Sequence, residues 1–243
     1  MTILILGGTT EATALAQRLA GLGGVNAVLS LAGRTVRPIQ SGLPTRIGGF
    51  GGVEGLADYL RTVGVKAVID ATHPFAAQMS TNAVEACAAV EVPLARLSRP
   101  AWVPVPGDRW VVVPDIDAAA RALGPMGDRV FLTTGRQTLH AFAAMPDKTY
   151  LARTVDPIAE PPNLPRFEHL QARGPFAAEA ERDLMTRYRI DVLVTKNSGG
   201  KATAGKLSAA RDLGLPVVMV DRPVLPPAHA LASVDEAIRW LHP

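Results

Sequence analysis

"TILILGGTTEATALAQRLAGLGG", residues 2–24, decides how the rest of this chain is read. Its first five residues are apolar or β-branched without alternation, as in a strand buried on both faces. Gly7-Gly8 ends that run and two threonines follow. Ala12, Leu15, Ala16, Leu19 and Leu22 then recur at helical spacing, and Gly23-Gly24 stops the segment. Strand, glycine turn and amphipathic helix, followed by a second strand at "VNAVLS" (25–30), form the opening of a parallel βαβ unit.

The alternation continues outward from there. A short extended piece is expected near "TRIGGF" (45–50), and a helix with Leu56, Tyr59, Leu60 and Val63 on one face. Strands are expected at "KAVID" (66–70) and "VPLARL" (92–97), with Pro74 opening the first turn of the helix between them. "RPAWVPVPGD" (99–108), with Pro100, Pro104, Pro106 and Gly107, reads as a linker. Beyond it come "WVVVP", a helix over "DIDAAARAL", "RVFLTTG", a short helix and "TYLARTV". After the proline-rich loop "DPIAEPPNLP" follow a helix near 177–188, "IDVLVTKN", a helix near 203–213 and "LPVVMVDRP". Ser233 is a candidate N-cap for a last helix whose apolar face is Ala237, Ile238 and Leu241. The expected fold is α/β: two Rossmann-like domains of mostly parallel sheet flanked by helices, with an active-site cleft between them. The division is 1–98, a linker at 99–108, and 109–243, with the helix over 233–242 a candidate to pack back on the first domain.

Composition narrows the function classes. The 243 residues are 48% hydrophobic and 19% charged, a balance that supports folded cores. A net charge of +3 without any run of basic residues gives no nucleic-acid footprint. The one cysteine, Cys87, excludes an internal disulfide framework and a multi-cysteine metal site, and reads as a buried apolar residue. The start has no basic region before its apolar run, and no apolar run is long enough for a bilayer, so a cytoplasmic protein with no membrane partner is expected. Tyr59, Tyr150 and Tyr188 are followed four residues later by Val63, Thr154 and Val192, so no Tyr-x-x-x-Lys pair exists. There is no G-x-S-x-G elbow. The five histidines, His73, His140, His169, His229 and His242, form no H-E-x-x-H pair, and no metal is expected.

What remains is a set of turns after strands. Gly7, Gly8, Thr9 and Thr10 match the dinucleotide fingerprint in part: Gly7 fits, Thr9 stands at the second glycine and Ala12 at the third. Glycines permit close backbone approach, and the helix N-terminus offers N–H groups to a pyrophosphate. At the end of the second strand, "SLAGRTVR" (30–37) has Ser30, Arg34, Thr35 and Arg37 and no acid. A hydroxyl and guanidiniums suit the 2′-phosphate of NADPH better than the 2′-OH of NAD; the plainer reading is a solvated basic loop. In "IDATHPFA" (69–76), Thr72 or His73 is placed to cap the next helix. His73 is either a loop residue or part of a nicotinamide pocket able to donate a proton, and Phe75 is either core or a cofactor neighbour.

"TKNSGGKATAGKL" (195–207) has Walker A spacing through Gly200, Gly205 and Lys206, but Leu207 stands where Mg²⁺ needs a Ser or Thr, so an ATP site is excluded. Lys196, Ser198, Gly199, Gly200 and Lys201 remain a turn able to hold carboxylates, and "LTTGRQ" (132–137) adds Thr134 and Arg136. Two ordinary βα turns are the alternative.

Taken together, "GGTTEA", "SLAGRT", "GGFGG", "DATHPFA", "TTGR" and "TKNSGG" followed by "KLSAARDLGLPVVMVDRP" resemble the precorrin-6A reductases of cobalamin biosynthesis, in order and over nearly the whole chain. The resemblance implies NADPH-dependent reduction of one double bond in a tetrapyrrole macrocycle, precorrin-6A, to precorrin-6B. It casts His73 or Lys201 as proton donor, and Thr134, Arg136, Lys196, Ser198, Gly199, Gly200 and Lys201 as holders of the substrate's carboxylates. Gly7, Gly8, Thr9, Thr10, Ser30, Arg34, Thr35 and Thr72 would hold the cofactor. Neighbouring pathway enzymes are candidates for transient contact. The rival functions are a non-catalytic NADP-sensing regulator and an NADPH reductase of another polycarboxylate.

Overall fold

The computed structural model describes residues 1–22, 25–33, 40–160 and 162–241. The chain divides into two units, Met1–Pro100 with Pro223–Pro243, and Ala101–Arg222.

The first unit holds β1 (Thr2–Leu6), α1 (Thr10–Ala20), β2 (Asn26–Leu31), β3 (Thr45–Ile47), α2 (Gly52–Val63), β4 (Val65–Asp70), α3 (Ala77–Ala89) and β5 (Leu94–Leu97). The second holds β6 (Arg109–Val113), α4 (Ile116–Ala122), β7 (Arg129–Leu132), a 3₁₀ helix (Arg136–Ala144), β8 (Thr149–Thr154), β9 (Phe167–Gln171), α5 (Ala178–Arg187), β10 (Val192–Lys196), α6 (Gly205–Asp212) and β11 (Pro216–Val220). β12 (His229–Leu231) and α7 (Val234–Leu241) belong to the first unit.

The sheets run β12-β5-β4-β1-β2-β3 and β6-β11-β10-β7-β8-β9. Every strand pairing in both is parallel. Counted along the chain within the first unit, the order is the 3-2-1-4-5-6 of a doubly wound dinucleotide fold, with β12 as sixth strand. The second unit repeats that order from β7 to β11, but its sixth strand, β6, precedes the other five in sequence. After its fifth strand each unit passes the chain to the sixth strand of the other. This is why residues 223–243 belong to the first unit and not, as the 109–243 division had it, to the second.

In the first sheet, the pleat of β1 sends Ile3 and Ile5 to one core with Leu15, Leu19, Leu29, Leu231 and Leu241, under α1 and α7. Leu4 and Leu6 go to the other, with Leu56, Leu60, Ala83 and Cys87 under α2 and α3. Burial on both faces explains the unbroken apolar run. In the second unit Phe131, Leu151, Leu193, Val217 and Met219 pack beneath α5 and α6 through Met185, Leu207 and Ala210.

Several local expectations change. α3 begins at Ala77, not at Pro74, because residues 73–76 close a turn in which the Ala76 N–H donates to the His73 carbonyl at 2.7 Å. α1 ends at Ala20 with Gly21 as its cap, leaving Leu22 exposed. The Gly23-Gly24 stop lies outside the described residues. Segment 101–108 is packed on the second unit: Asp108 forms an ion pair with Arg211 at 2.8 Å and accepts from the Val105 N–H at 2.8 Å. β9 and β12 were not expected from the sequence. Ser233 does cap α7, accepting from the Glu236 N–H at 3.2 Å.

Candidate functional site

In a doubly wound sheet, ligands gather at the carboxyl ends of the strands where the order reverses. In the first unit that point lies between β1 and β4, flanked by the turns Gly7–Thr10 and Ala71–Pro74. In the second it lies between β7 and β10, flanked by Thr133–Arg136 and Asn197–Lys201. Four of the five turns singled out from the sequence are therefore two pairs, each at its own unit's switch point.

The first turn is built for close approach. A Cβ at Gly7 would lie 2.7 Å from Leu29 Cδ1 and 3.0 Å from Leu31 Cδ2, and its N–H is committed to the Ser30 carbonyl at 2.8 Å. Gly8 has φ +130°, and a Cβ there would meet nothing within 4 Å. Among the described residues, the N–H groups of Gly8, Thr9, Thr10 and Glu11 have no acceptor in the chain, so the start of α1 presents a cluster of donors. The Thr9 hydroxyl is otherwise engaged: it accepts from the Ala12 N–H at 3.1 Å as N-cap and donates to the Ala71 carbonyl at 2.8 Å. Thr9 thus ties the first turn to the one after β4 and offers a ligand its backbone. The Thr10 hydroxyl lies 3.0 Å from Glu11 Oε2, and Arg99 pairs with the same carboxylate at 3.1 Å.

At the end of β2, Ser30 is buried, with its hydroxyl 3.4 Å from Arg46 Nη1. No acid stands among the described residues that follow, Leu31, Ala32 and Gly33. Arg34, Thr35 and Arg37 lie outside the described residues. The turn after β4 rests on Asp70, which is fully buried. One carboxylate oxygen accepts from the Thr72 hydroxyl (2.7 Å) and N–H (3.2 Å), and the other from Arg96 Nε (3.1 Å). Arg96 reaches on to the Pro226 carbonyl at 2.9 Å. Thr72 does not cap α3; it is held by Asp70 and lies 3.3 Å from the Ser80 hydroxyl. His73 does not cap it either: its Nδ1 accepts from the Phe75 N–H at 3.2 Å, which places the hydrogen of the neutral ring on Nε2. Its ring sits 5.8 Å from that of Phe75.

The second unit's pair is joined at Thr133, whose N–H donates to the Val194 carbonyl at 3.0 Å. Thr134 is buried, 2.9 Å from the Thr138 hydroxyl, and Arg136 donates to the Pro157 carbonyl at 3.2 Å. In the turn after β10, Gly199 and Gly200 have φ +69° and +80°, a left-handed run that only glycines take without strain. Three of its carbonyls are held by side chains. Arg222 donates to those of Asn197 (2.9 Å) and Ser198 (3.2 Å), and the Trp102 indole N–H to that of Gly200 (3.0 Å). The Asn197 amide clamps the Trp102 backbone in turn, accepting from its N–H at 2.8 Å and donating to its carbonyl at 3.1 Å. The N–H groups of Gly199, Gly200 and Lys201 have no acceptor among the described residues, so the turn is polarised, with those three carbonyls engaged and these three donors uncommitted. Lys196 ends β10 and Lys201 is exposed on the turn.

Trp102, Arg222 and Arg46 were missed from the sequence. A tryptophan inside a proline-rich linker was the one available signal. The Walker-like glycine has a packing reason: a Cβ at Gly205 would lie 2.4 Å from the Phe176 carbonyl oxygen, and Lys206 is buried with its Nζ 5.2 Å over the Trp102 ring. The uncommitted donors of the first turn and its open glycine fit a dinucleotide's pyrophosphate, and no acid stands among the described residues directly after β2.

Among the described residues no helix is long and apolar enough to cross a membrane. A family model described as "Precorrin-6x reductase CbiJ/CobK" matches residues 2–242. The chain is 51% identical over 239 residues to the precorrin-6A reductase of Rhodobacter capsulatus, covering 98% of this chain and 95% of that one. It is 51% identical over 242 residues to that of Rhodococcus erythropolis, covering 98% and 96%. A cobalt-precorrin-6A reductase of Priestia megaterium is 30% identical over 250 residues, covering 98% and 97%. A solved structure titled "CobK precorrin-6A reductase" superimposes with a TM-score of 0.94 at 50% identity, covering 99% of this chain and 96% of that one. With sequence, strand order and switch-point turns in agreement, the chain belongs to the precorrin-6x reductase family, CbiJ/CobK.

Proposed function

We propose that this chain reduces one double bond of precorrin-6A with NADPH, giving precorrin-6B in cobalamin biosynthesis, and that it does so in the cytoplasm. The observation that carries the reading is the pair of donor-rich turns at the two switch points, Gly7–Thr10 and Asn197–Lys201, one for each of two anionic ligands.

The N–H groups at the start of α1 hold the pyrophosphate, where the helix dipole favours negative charge. Ser30 receives the adenosine ribose. Thr72, fixed by Asp70, and His73 line the nicotinamide pocket. The polarised turn at 197–201, with Lys196, Ser198 and Lys201, holds acetate and propionate arms of the macrocycle, and Thr134 and Arg136 serve a further arm. Bound NADPH supplies a hydride from its nicotinamide C4. The protein aligns the two flat systems at reacting distance and excludes water. A proton must reach the carbon next to the one reduced, and His73 through Nε2 and the Lys201 ammonium are the two candidate donors. Lys201→Ala tests the reading: the KM for precorrin-6A should rise while NADPH affinity stays unchanged. Loss of NADPH binding with an unaltered macrocycle KM would reverse the assignment of the two turns.

A further inference from the structure

The glycine run "GGFGG" at 48–52 takes no part in the pyrophosphate or macrocycle turns, yet it is folded around one side chain. Arg46 lies in β3 directly opposite Ser30. Its Nη1 donates to the Gly48 carbonyl at 2.6 Å and its Nη2 to that of Gly49 at 2.5 Å. The guanidinium carbon sits 3.8 Å above the Phe50 ring, which meets Tyr59 edge-on at 5.1 Å. The glycines make this possible. Gly48, Gly51 and Gly52 have φ +118°, +87° and +88°, and a Cβ at Gly55 would lie 1.8 Å from the Phe50 carbonyl oxygen. The run therefore seats a guanidinium with one face on an aromatic ring and its position fixed by two carbonyls.

That guanidinium is half-buried, and none of the ion pairs among the described residues includes it. Among the described residues, its Nε–H and a second Nη2 hydrogen have no acceptor. It stands 3.4 Å from the Ser30 hydroxyl, at the end of the strand that meets the adenosine ribose in a sheet of this order. A pre-positioned cation with donors to spare and no acidic partner among the described residues matches a phosphate dianion. We infer that Arg46, seated by the 48–52 turn beside Ser30, binds the 2′-phosphate of the dinucleotide and determines the preference for NADPH over NADH. This rests on the NADPH reading above.

The test measures binding by calorimetry with 2′,5′-ADP and 5′-ADP, so no turnover is needed. The unaltered protein should prefer 2′,5′-ADP; failure to distinguish the two overturns the NADPH reading and this inference together. With that preference present, Arg46→Gln should weaken 2′,5′-ADP about 10- to 100-fold, the range for losing charge-assisted bonds, and 5′-ADP by less than about threefold. Retained 5′-ADP binding also reports that the variant is folded. Equal losses for both probes, or none, would overturn the role of Arg46 alone. Should Arg46→Gln not fold, Arg46→Lys keeps the charge but gives up the planar fork of donors. It should lower 2′,5′-ADP affinity more than 5′-ADP affinity, and an unchanged preference would refute the inference.

Discussion

Trp102→Phe isolates one bond in the polarised turn. The substitution removes the indole N–H that reaches the Gly200 carbonyl at 3.0 Å but leaves an aromatic ring beneath Lys206. The backbone bonds between Trp102 and the Asn197 amide and the two bonds from Arg222 do not involve the indole and remain. The released carbonyl is half-exposed and can be hydrated, so the loss is that of an ordinary hydrogen bond, about 1 kcal/mol, and not of an orphaned group. If the turn must be held in this conformation to bind the macrocycle, that cost appears as about fivefold weaker binding. Asn197→Ala removes both clamps on the Trp102 backbone at once. At about 2–3 kcal/mol it should cost about 30- to 150-fold. Steady-state kinetics with precorrin-6A as the varied substrate, beside direct titration of NADPH, separates the effects: the macrocycle KM should rise in both variants while NADPH affinity stays within about twofold. Weakened NADPH binding with an unchanged macrocycle KM would refute the reasoning, as would a loss of thermal stability without any change in KM.

Glu181→Gln should lower unfolding free energy by about 3–5 kcal/mol in urea titrations, because it leaves the buried Arg153 guanidinium without its bidentate carboxylate at 2.5 and 2.7 Å. Gly205→Ala should also destabilise the second unit, by forcing α6 off the Phe176–Ala178 backbone, and Leu207→Ser should not confer ATP binding. Burial lifts the Tyr150 phenol from its ordinary 10.0 to about 12. The folded chain holds that proton more tightly, so the contribution is complete below about pH 10 and is lost as pH rises through about 12. The loss amounts to about 3 kcal/mol, and Tyr150→Phe should flatten that part of the stability profile. Burial, and secondarily the Asp70 carboxylate, raise the Cys87 thiol from 9.0 to about 12, so thiol reagents should react with it only as fast as the chain opens.

The four switch-point turns were legible because glycines, threonines and lysines after apolar runs mark the carboxyl ends of buried strands. The exchange of sixth strands was not. β12 is only "HAL", too short for any periodicity, and its place is set by pairing with Ala95–Leu97, far away in sequence. β9, "FEHLQ", follows a proline-rich loop and carries three polar or charged residues, Glu168, His169 and Gln171, where a core strand would have aliphatics. Side-chain commitments were hidden in the same way. Nothing near Thr9 in sequence predicts its bond to Ala71, and Arg46 looks like one more basic residue until its register with Ser30 is known. Thr72 and His73 do not cap α3 because the helix starts only at Ala77, beyond the 73–76 turn, and Asp70 takes the Thr72 hydroxyl.

The most direct measurement of the central claim is the fall in nicotinamide absorbance when precorrin-6A is added to this protein with NADPH, coupled to mass analysis of the tetrapyrrole. Stoichiometric NADPH oxidation and a product richer by two hydrogens are expected, with NADH a poor substitute. Stable NADPH absorbance and unaltered precorrin-6A, in a protein shown to bind both, would contradict it.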